Sequence, residues 1–299
     1  MATEVLLALI RVNIAASVAI LALLALRSPA RRLFGAHIAY ALWLAVPAAM
    51  LGALFNTPTS AQAGEAVAFN QAAKAWLAGP DHAAVLIAPW LIGVTAALGL
   101  VIWSQLRFLA AARAGLAGPA VTGVICARLV VPSDFAQRFT ADERRLVRAH
   151  ERAHIDRRDS RVNALAVLVQ CLGWFNPVLH LGAHAMRLDQ ERACDATVIA
   201  RLPRERRRYA ETLLRTQLVR MGLPPLGCNW AARGAHPLEA RISMLSRPAP
   251  TRARTALGKT MLAALGALAV CAAWAAQPPQ PPWLAMVVTA PASVLLGVR

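Results

Sequence analysis

The amino-acid sequence predicts a mainly α-helical, multi-pass membrane protein with about four transmembrane helices and one polar domain that contains a small β element. Three observations carry this reading. Of 299 residues, 58% are hydrophobic, and the mean hydropathy is +0.48, more apolar than an ordinary soluble domain of this size. The apolar residues fall into separate long runs. The formal net charge of +17 comes almost wholly from arginines crowded beside those runs, as in cytoplasmic loops next to a bilayer.

The first run, VLLALIRVNIAASVAILALLAL, covers residues 5–26 and is long enough to cross a bilayer. No basic residue precedes it, which argues against a cleaved secretory leader. A second run covers 36–55, and a third 83–103, with a polar, Ala-rich external loop at 56–82 between them. Residues 1–104 therefore read as one membrane segment. The fourth run is placed at 259–276, around MLAALGALAVCAAWAA, and residues 277–299 read as a short external tail. The positive-inside rule puts RSPARR and the block from Arg107 to Lys259 in the cytoplasm and the N-terminus outside. The abundance of arginine and alanine suggests, by composition alone, a GC-rich bacterial genome; the expected location is the bacterial inner membrane. Five cysteines show no CxxC pair and read as reduced, mostly buried thiols.

Residues 105–258 have the size of one domain. PAVTGVICARLVVP, rich in valine and bounded by prolines, predicts a strand pair. In FTADERRLVRAHERAHIDRR, Thr140 and Glu143 have capping-box spacing, so a helix should start at Thr140 and run through HERAH. SRVNALAVLVQCLGWF is a second helix, too short to span comfortably, that packs in the core or dips into the interface. Asn176-Pro177 opens a third helix that runs through His184 and Glu191 to about Ala200, and Pro203 opens a fourth that ends near Gly222.

The chemistry centres on HERAHIDRRD. Positions four apart on a helix differ by about 40° and rise about 6 Å, so His150 and His154 share a face and can reach one zinc ion. Glu151 projects to the flank of that face, where it can take a proton from an attacking water without being a ligand. A bare H-E-x-x-H can also be a solvated helix turn, so context decides. A catalytic zinc needs a third protein ligand. DQERACDA supplies Glu191, which can ligate, and four residues on Asp195, which can hold a ligating histidine in orientation.

HERAHIDRRD, WFNPVLH and DQERACDA, in this order after three membrane runs, resemble the BlaR/MecR-type integral-membrane metallopeptidases, the antibiotic-sensor signal-transducer family. The resemblance implies a zincin-like, gluzincin-type peptidase domain facing the cytoplasm. It implies one catalytic Zn2+ held by His150, His154 and Glu191, with Glu151 as general base. It also implies that the protein senses an external signal and inactivates a transcriptional repressor by proteolysis. One departure stands out. Members that sense antibiotics carry a penicillin-binding module with an S-x-x-K motif, whereas Lys74 and Lys259 here are preceded at that spacing by Gln71 and Ala256. Acylation by a beta-lactam is not expected, and a signal would enter through the 56–82 loop, the tail or a partner.

Other residues receive narrower readings. His236, in AHPLEARISML, resembles a histidine of HtpX-like membrane zinc proteases that helps stabilise the tetrahedral intermediate; a helix start with Pro237 at its first position explains the segment equally well. His180 and His184 form another i, i+4 pair, read as packing or cleft-lining. Asp159, five residues after His154, falls off the histidine face of a continuous helix and is expected to cap the next one. The arginine clusters suit anionic lipid headgroups, and no direct contact with nucleic acid is expected. The sequence thus predicts a zinc endopeptidase that cuts a cytoplasmic protein, such as a winged-helix repressor or the chain itself. The alternatives are a non-catalytic, zinc-stabilised membrane transducer and a quality-control protease; the oligomeric state is left open.

Overall fold

A computed structural model describes residues 2–54, 82–217, 228–229, 235–246 and 248–275. The expected loop up to Asp81, the tail from 277 and the end of the fourth predicted helix near Gly222 lie outside them. The chain divides into two compact units. One takes residues 1–19, 44–90 and 263–299; the other takes 20–43 and 91–262 and holds the candidate site.

Among the described residues, three helices are long and apolar enough to cross a membrane. They are α1 (Ala2–Phe34), α4 (His82–Arg113) and α11 (Arg252–Ala275). The second predicted run forms a shorter, interrupted helix over Ala36–Gly52. It comprises α2 (Ala36–Ala41), a 3-10 turn (Leu42–Leu44) and α3 (Ala45–Gly52). Gly35 makes the corner between α1 and α2 with φ +93°, and a Cβ there would meet Pro250 at 2.8 Å. Both features call for glycine.

The polar domain opens with the predicted hairpin, β1 (Ala120–Thr122) against β2 (Arg128–Val130), antiparallel with Val121 opposite Leu129. A third strand, β3 (Cys228–Asn229), pairs with β1 on its other edge, giving the order β2-β1-β3. After a single turn, α5 (Phe135–Arg138), comes α6 (Ala141–Asp156). Its N-terminus is the predicted capping box: Thr140 Oγ1 accepts from the Glu143 amide, and Glu143 Oε2 accepts from the Thr140 amide at 2.8 Å. Helix α7 (Asp159–Leu172) follows, then α8 (Pro177–Arg201), capped as expected by Asn176, whose side chain accepts from the Val178 amide at 3.0 Å. A 3-10 turn at Pro203–Glu205 leads into α9 (Arg206–Gln217), and α10 (Ala235–Leu245) closes the domain.

The core joins Leu146 and Val147 of α6, Val198 and Ile199 of α8, Tyr209 and Leu213 of α9, Leu245 of α10, and Phe135 and Phe139. Helix α7 turns Leu165 and Leu168 outward, and Trp174 after it packs on Gly93 of α4. The cysteine expectation needs correction. Cys126 and Cys271 are exposed, while Cys171 and Cys194 are buried, and all four are free thiols.

Candidate metal centre

Helix α6 holds His150, Glu151 and His154 with no exposed surface, and α8 brings Glu191 and Asp195 against them from the other side. Each imidazole is fixed from behind. His154 Nδ1 lies 2.8 Å from Asp159 Oδ2. His150 Nδ1 lies 2.9 Å from the Tyr209 hydroxyl, which itself donates to Asp195 Oδ1 at 2.7 Å. Since that hydroxyl proton is used on Asp195, the His150 ring must donate from Nδ1. Both Nε2 atoms are then lone-pair acceptors facing forward.

Those two Nε2 atoms stand 3.1 Å apart. Glu191 Oε2 is 3.3 Å from His150 Nε2, and Glu191 Oε1 is 3.5 Å from His154 Nε2. Two nitrogen lone pairs and a carboxylate that converge so closely are stabilised by a shared proton or by a cation between them. Ligands about 2.0–2.1 Å from a tetrahedral zinc sit roughly 3.3 Å from one another, so the donor set fits a zinc-sized divalent ion. His150, His154 and Cys194 also place possible donor atoms within 4.8 Å of one another. That set fits less well. Cys194 Sγ lies 3.2 Å from Nδ1 of His154, the nitrogen already turned to Asp159, and not beside Nε2. Burial also pushes its thiol up to about 12, although His154 pulls the other way.

Glu151 is fully buried, and neither carboxylate oxygen has a hydrogen-bond partner among the described residues. Such a group is costly unless a ligand, water or substrate meets it. Burial pushes its carboxyl up to about 7, against the opposing pull of His154 and His150. Glu191 goes the other way. Burial would raise it, but the guanidinium of Arg241, with Nη1 3.2 Å from Oε2, and the two imidazoles hold it down at about 2.

The structure brings together His150, Glu151, His154, Glu191 and Asp195. Asp195 touches His150 directly only at 3.4 Å and acts mainly through Tyr209. Asp159 requires a correction. It is not a cap: Arg158 takes a left-handed backbone (φ 58°), which ends α6 and swings Asp159 back beneath His154. His180 and His184 are exposed, and His180 ties Gln170 to the carbonyl of Trp174 instead of lining the site. His236 lies in the first turn of α10, with its side chain outside the described residues. Sequence reasoning missed Tyr209 and Arg241. Arg241 is fully buried and grips Asp195 with two hydrogen bonds, at 2.8 and 2.7 Å. The one available signal was an arginine inside the apolar periodicity of LEARISML.

A His-Glu-x-x-His helix facing an acid from a second helix, in a chain with membrane-length helices, defines the class of membrane metallopeptidases. More specifically, the chain belongs to the BlaR1 peptidase M56 family, whose profile matches residues 7–109 and 107–245. It is 30% identical over 103 residues to the "Methicillin resistance mecR1 protein" of Staphylococcus aureus, covering 34% of this chain and 18% of that one. The protein of the same name from Staphylococcus epidermidis matches to the same extent. The "Regulatory protein BlaR1" of Bacillus licheniformis is 31% identical over 98 residues, 32% of this chain and 16% of its own length. The match therefore spans less than a fifth of these relatives. No solved structure matches the chain.

Proposed function

We propose that the protein is a zinc-dependent endopeptidase of the bacterial inner membrane that cuts a cytoplasmic protein, a transcriptional repressor or the chain itself, in transmembrane signalling. The observation that carries this reading is the pairing of a three-donor cluster, His150, His154 and Glu191, with an orphaned buried carboxylate, Glu151. A purely structural metal site has no use for that carboxylate, which argues against the transducer alternative. When bound, zinc supplies Lewis acidity that polarises the scissile carbonyl and acidifies a water. The chain's own residues do the rest. Glu151 takes the proton of the attacking water at a carboxylate oxygen and returns it to the leaving amine. Asp159 and the Tyr209–Asp195 pair hold the two imidazoles with Nε2 forward. His236, from α10, is the proposed donor to the developing oxyanion.

The repressor assignment draws on relatives named for methicillin resistance and regulation. The cytoplasmic placement of residues 105–258, with the N-terminus outside, draws on the distribution of arginine. The test compares newly formed protein N-termini, by mass spectrometry, in cells expressing the wild type and Glu151→Gln. Termini that depend on Glu151 identify the substrate. Identical sets from proteins that both bind zinc would refute proteolysis as the resting activity and favour a transducer.

A further inference from the structure

The candidate metal site is not built from the polar domain alone. Tyr40, in α2 within the second apolar run, donates its hydroxyl proton to Asp159 Oδ1 at 3.1 Å. The Tyr40 hydroxyl oxygen in turn accepts from Gln190 Nε2 at 2.9 Å. Asp159 is therefore held at both oxygens, Oδ1 by the phenol and Oδ2 by His154. Arg157 reinforces the arrangement: its guanidinium lies 4.7 Å over the Tyr40 ring and bonds Asp159 Oδ2 at 2.7 Å.

One residue before Gln190, Asp189 is fully buried. It accepts from Arg27 at 2.9 Å, Arg31 at 3.2 Å and the indole of Trp43 at 3.1 Å. Consecutive residues on a helix point about 100° apart. Asp189, Gln190 and Glu191 thus take three bearings from one turn of α8: the first to Arg27, Arg31 and Trp43, the second to Tyr40, and the third to the imidazoles. An apolar segment that served only as an anchor would not need to set a half-buried phenol and a buried indole with both polar atoms on acids of the peptidase core.

We propose that Tyr40 is a positioning residue for the metal site. The segment Arg27–Trp43 clamps Asp159 and α8 where His154 and Glu191 meet a common ion. This rests on the reading of His154 and Glu191 as ligands. Loss of the Tyr40 hydroxyl leaves Asp159 Oδ1 with the longer 3.3 Å bond from Arg157 Nε, which loosens the carboxylate that steers the His154 imidazole. A shift of Arg27–Trp43 acts on both ligands at once, through Asp159 on His154 and through Asp189 on the turn that carries Glu191.

The test uses the full chain in detergent micelles, stripped of metal, as wild type, Tyr40→Phe and Trp43→Phe. Zinc affinity is read by competition with a chromophoric chelator, the geometry by the visible spectrum of the cobalt(II) form, and the fold by thermal unfolding without metal. The expected result is a roughly tenfold loss of zinc affinity in Tyr40→Phe, at the lower end of the range for groups that orient ligands. A changed cobalt spectrum should accompany it, with a near-wild-type unfolding midpoint. Trp43→Phe should weaken zinc in the same direction. A folded Tyr40→Phe with unchanged affinity and spectrum overturns the proposal and leaves the site reading intact. Should Tyr40→Phe not fold, unchanged affinity and spectrum in Trp43→Phe overturn it. A wild type that binds neither metal overturns the site reading and this proposal together.

Discussion

Arg241→Met removes a side chain that touches both Asp195 and Glu191 while keeping most of its apolar volume. Two charge-assisted hydrogen bonds to Asp195, at 2.8 and 2.7 Å, disappear, as does the ion pair to Glu191 at 3.2 Å. Hydrogen bonds to charged groups contribute about 1.5–3 kcal/mol each. Asp195 is also left buried beside Glu191 with no guanidinium. Removal of one partner of a buried pair costs about 3–5 kcal/mol. The metal-free full chain in detergent, unfolded thermally and followed by tryptophan fluorescence, should lose that much stability. For a domain of this size the loss lowers the midpoint by roughly 6–20 °C. Addition of Asp195→Leu to Arg241→Met removes the stranded acid and should recover part of the stability. Metal affinity should not recover, because Tyr209, which accepts from His150, then loses its own acceptor in Asp195. A single variant within about 1 kcal/mol of the wild type, or a double variant whose loss is the plain sum of the two, would refute the view of Arg241 as the counter-charge of the site.

Three further outcomes follow from the geometry. Cys194→Ser should keep zinc affinity within a few-fold by chelator competition, whereas Glu191→Gln should largely abolish it; the opposite ranking would assign the ion to the thiol. Asp159→Asn, which weakens the acceptor behind His154, should reduce zinc affinity about 10–100-fold, and an unchanged affinity would reduce Asp159 to a structural group. Thr140→Ala, which opens the capping box of α6, should cost about 1 kcal/mol in unfolding measurements and leave metal binding untouched.

The parts of the site that lie close together in sequence were legible in it. His150, Glu151 and His154 follow from one helical period, and the Thr140–Glu143 box and the Asn176-Pro177 start announce their helices. Glu191 and Asp195 were legible as a second pair at the same spacing. Asp159 was misread because its role depends on a left-handed turn at Arg158, an arginine where glycine or asparagine would have been the usual signal. Tyr209 and Tyr40 carry no local signature, and Arg241 only its place among the apolar residues of LEARISML. Each acts through a partner 59, 119 or 46 positions away, so only tertiary packing reveals it. The second apolar run shows the same limit. Its hydropathy suggested a plain span, whereas its tyrosine and tryptophan sit on buried acids.

The burial of Asp189 also constrains the order of assembly. Arg27, Arg31 and Trp43 are made first, but the carboxylate they share comes 162, 158 and 146 positions later. At synthesis rates of about 5–20 residues per second, the wait is roughly 7–30 s. During that interval two arginines at the end of an apolar helix have no counter-charge from α8. The contacts of Arg27, Arg31 and Trp43 with Asp189 therefore form only after the helix that carries Glu191 has emerged, so that the seating of this apolar segment and the completion of the site share a step.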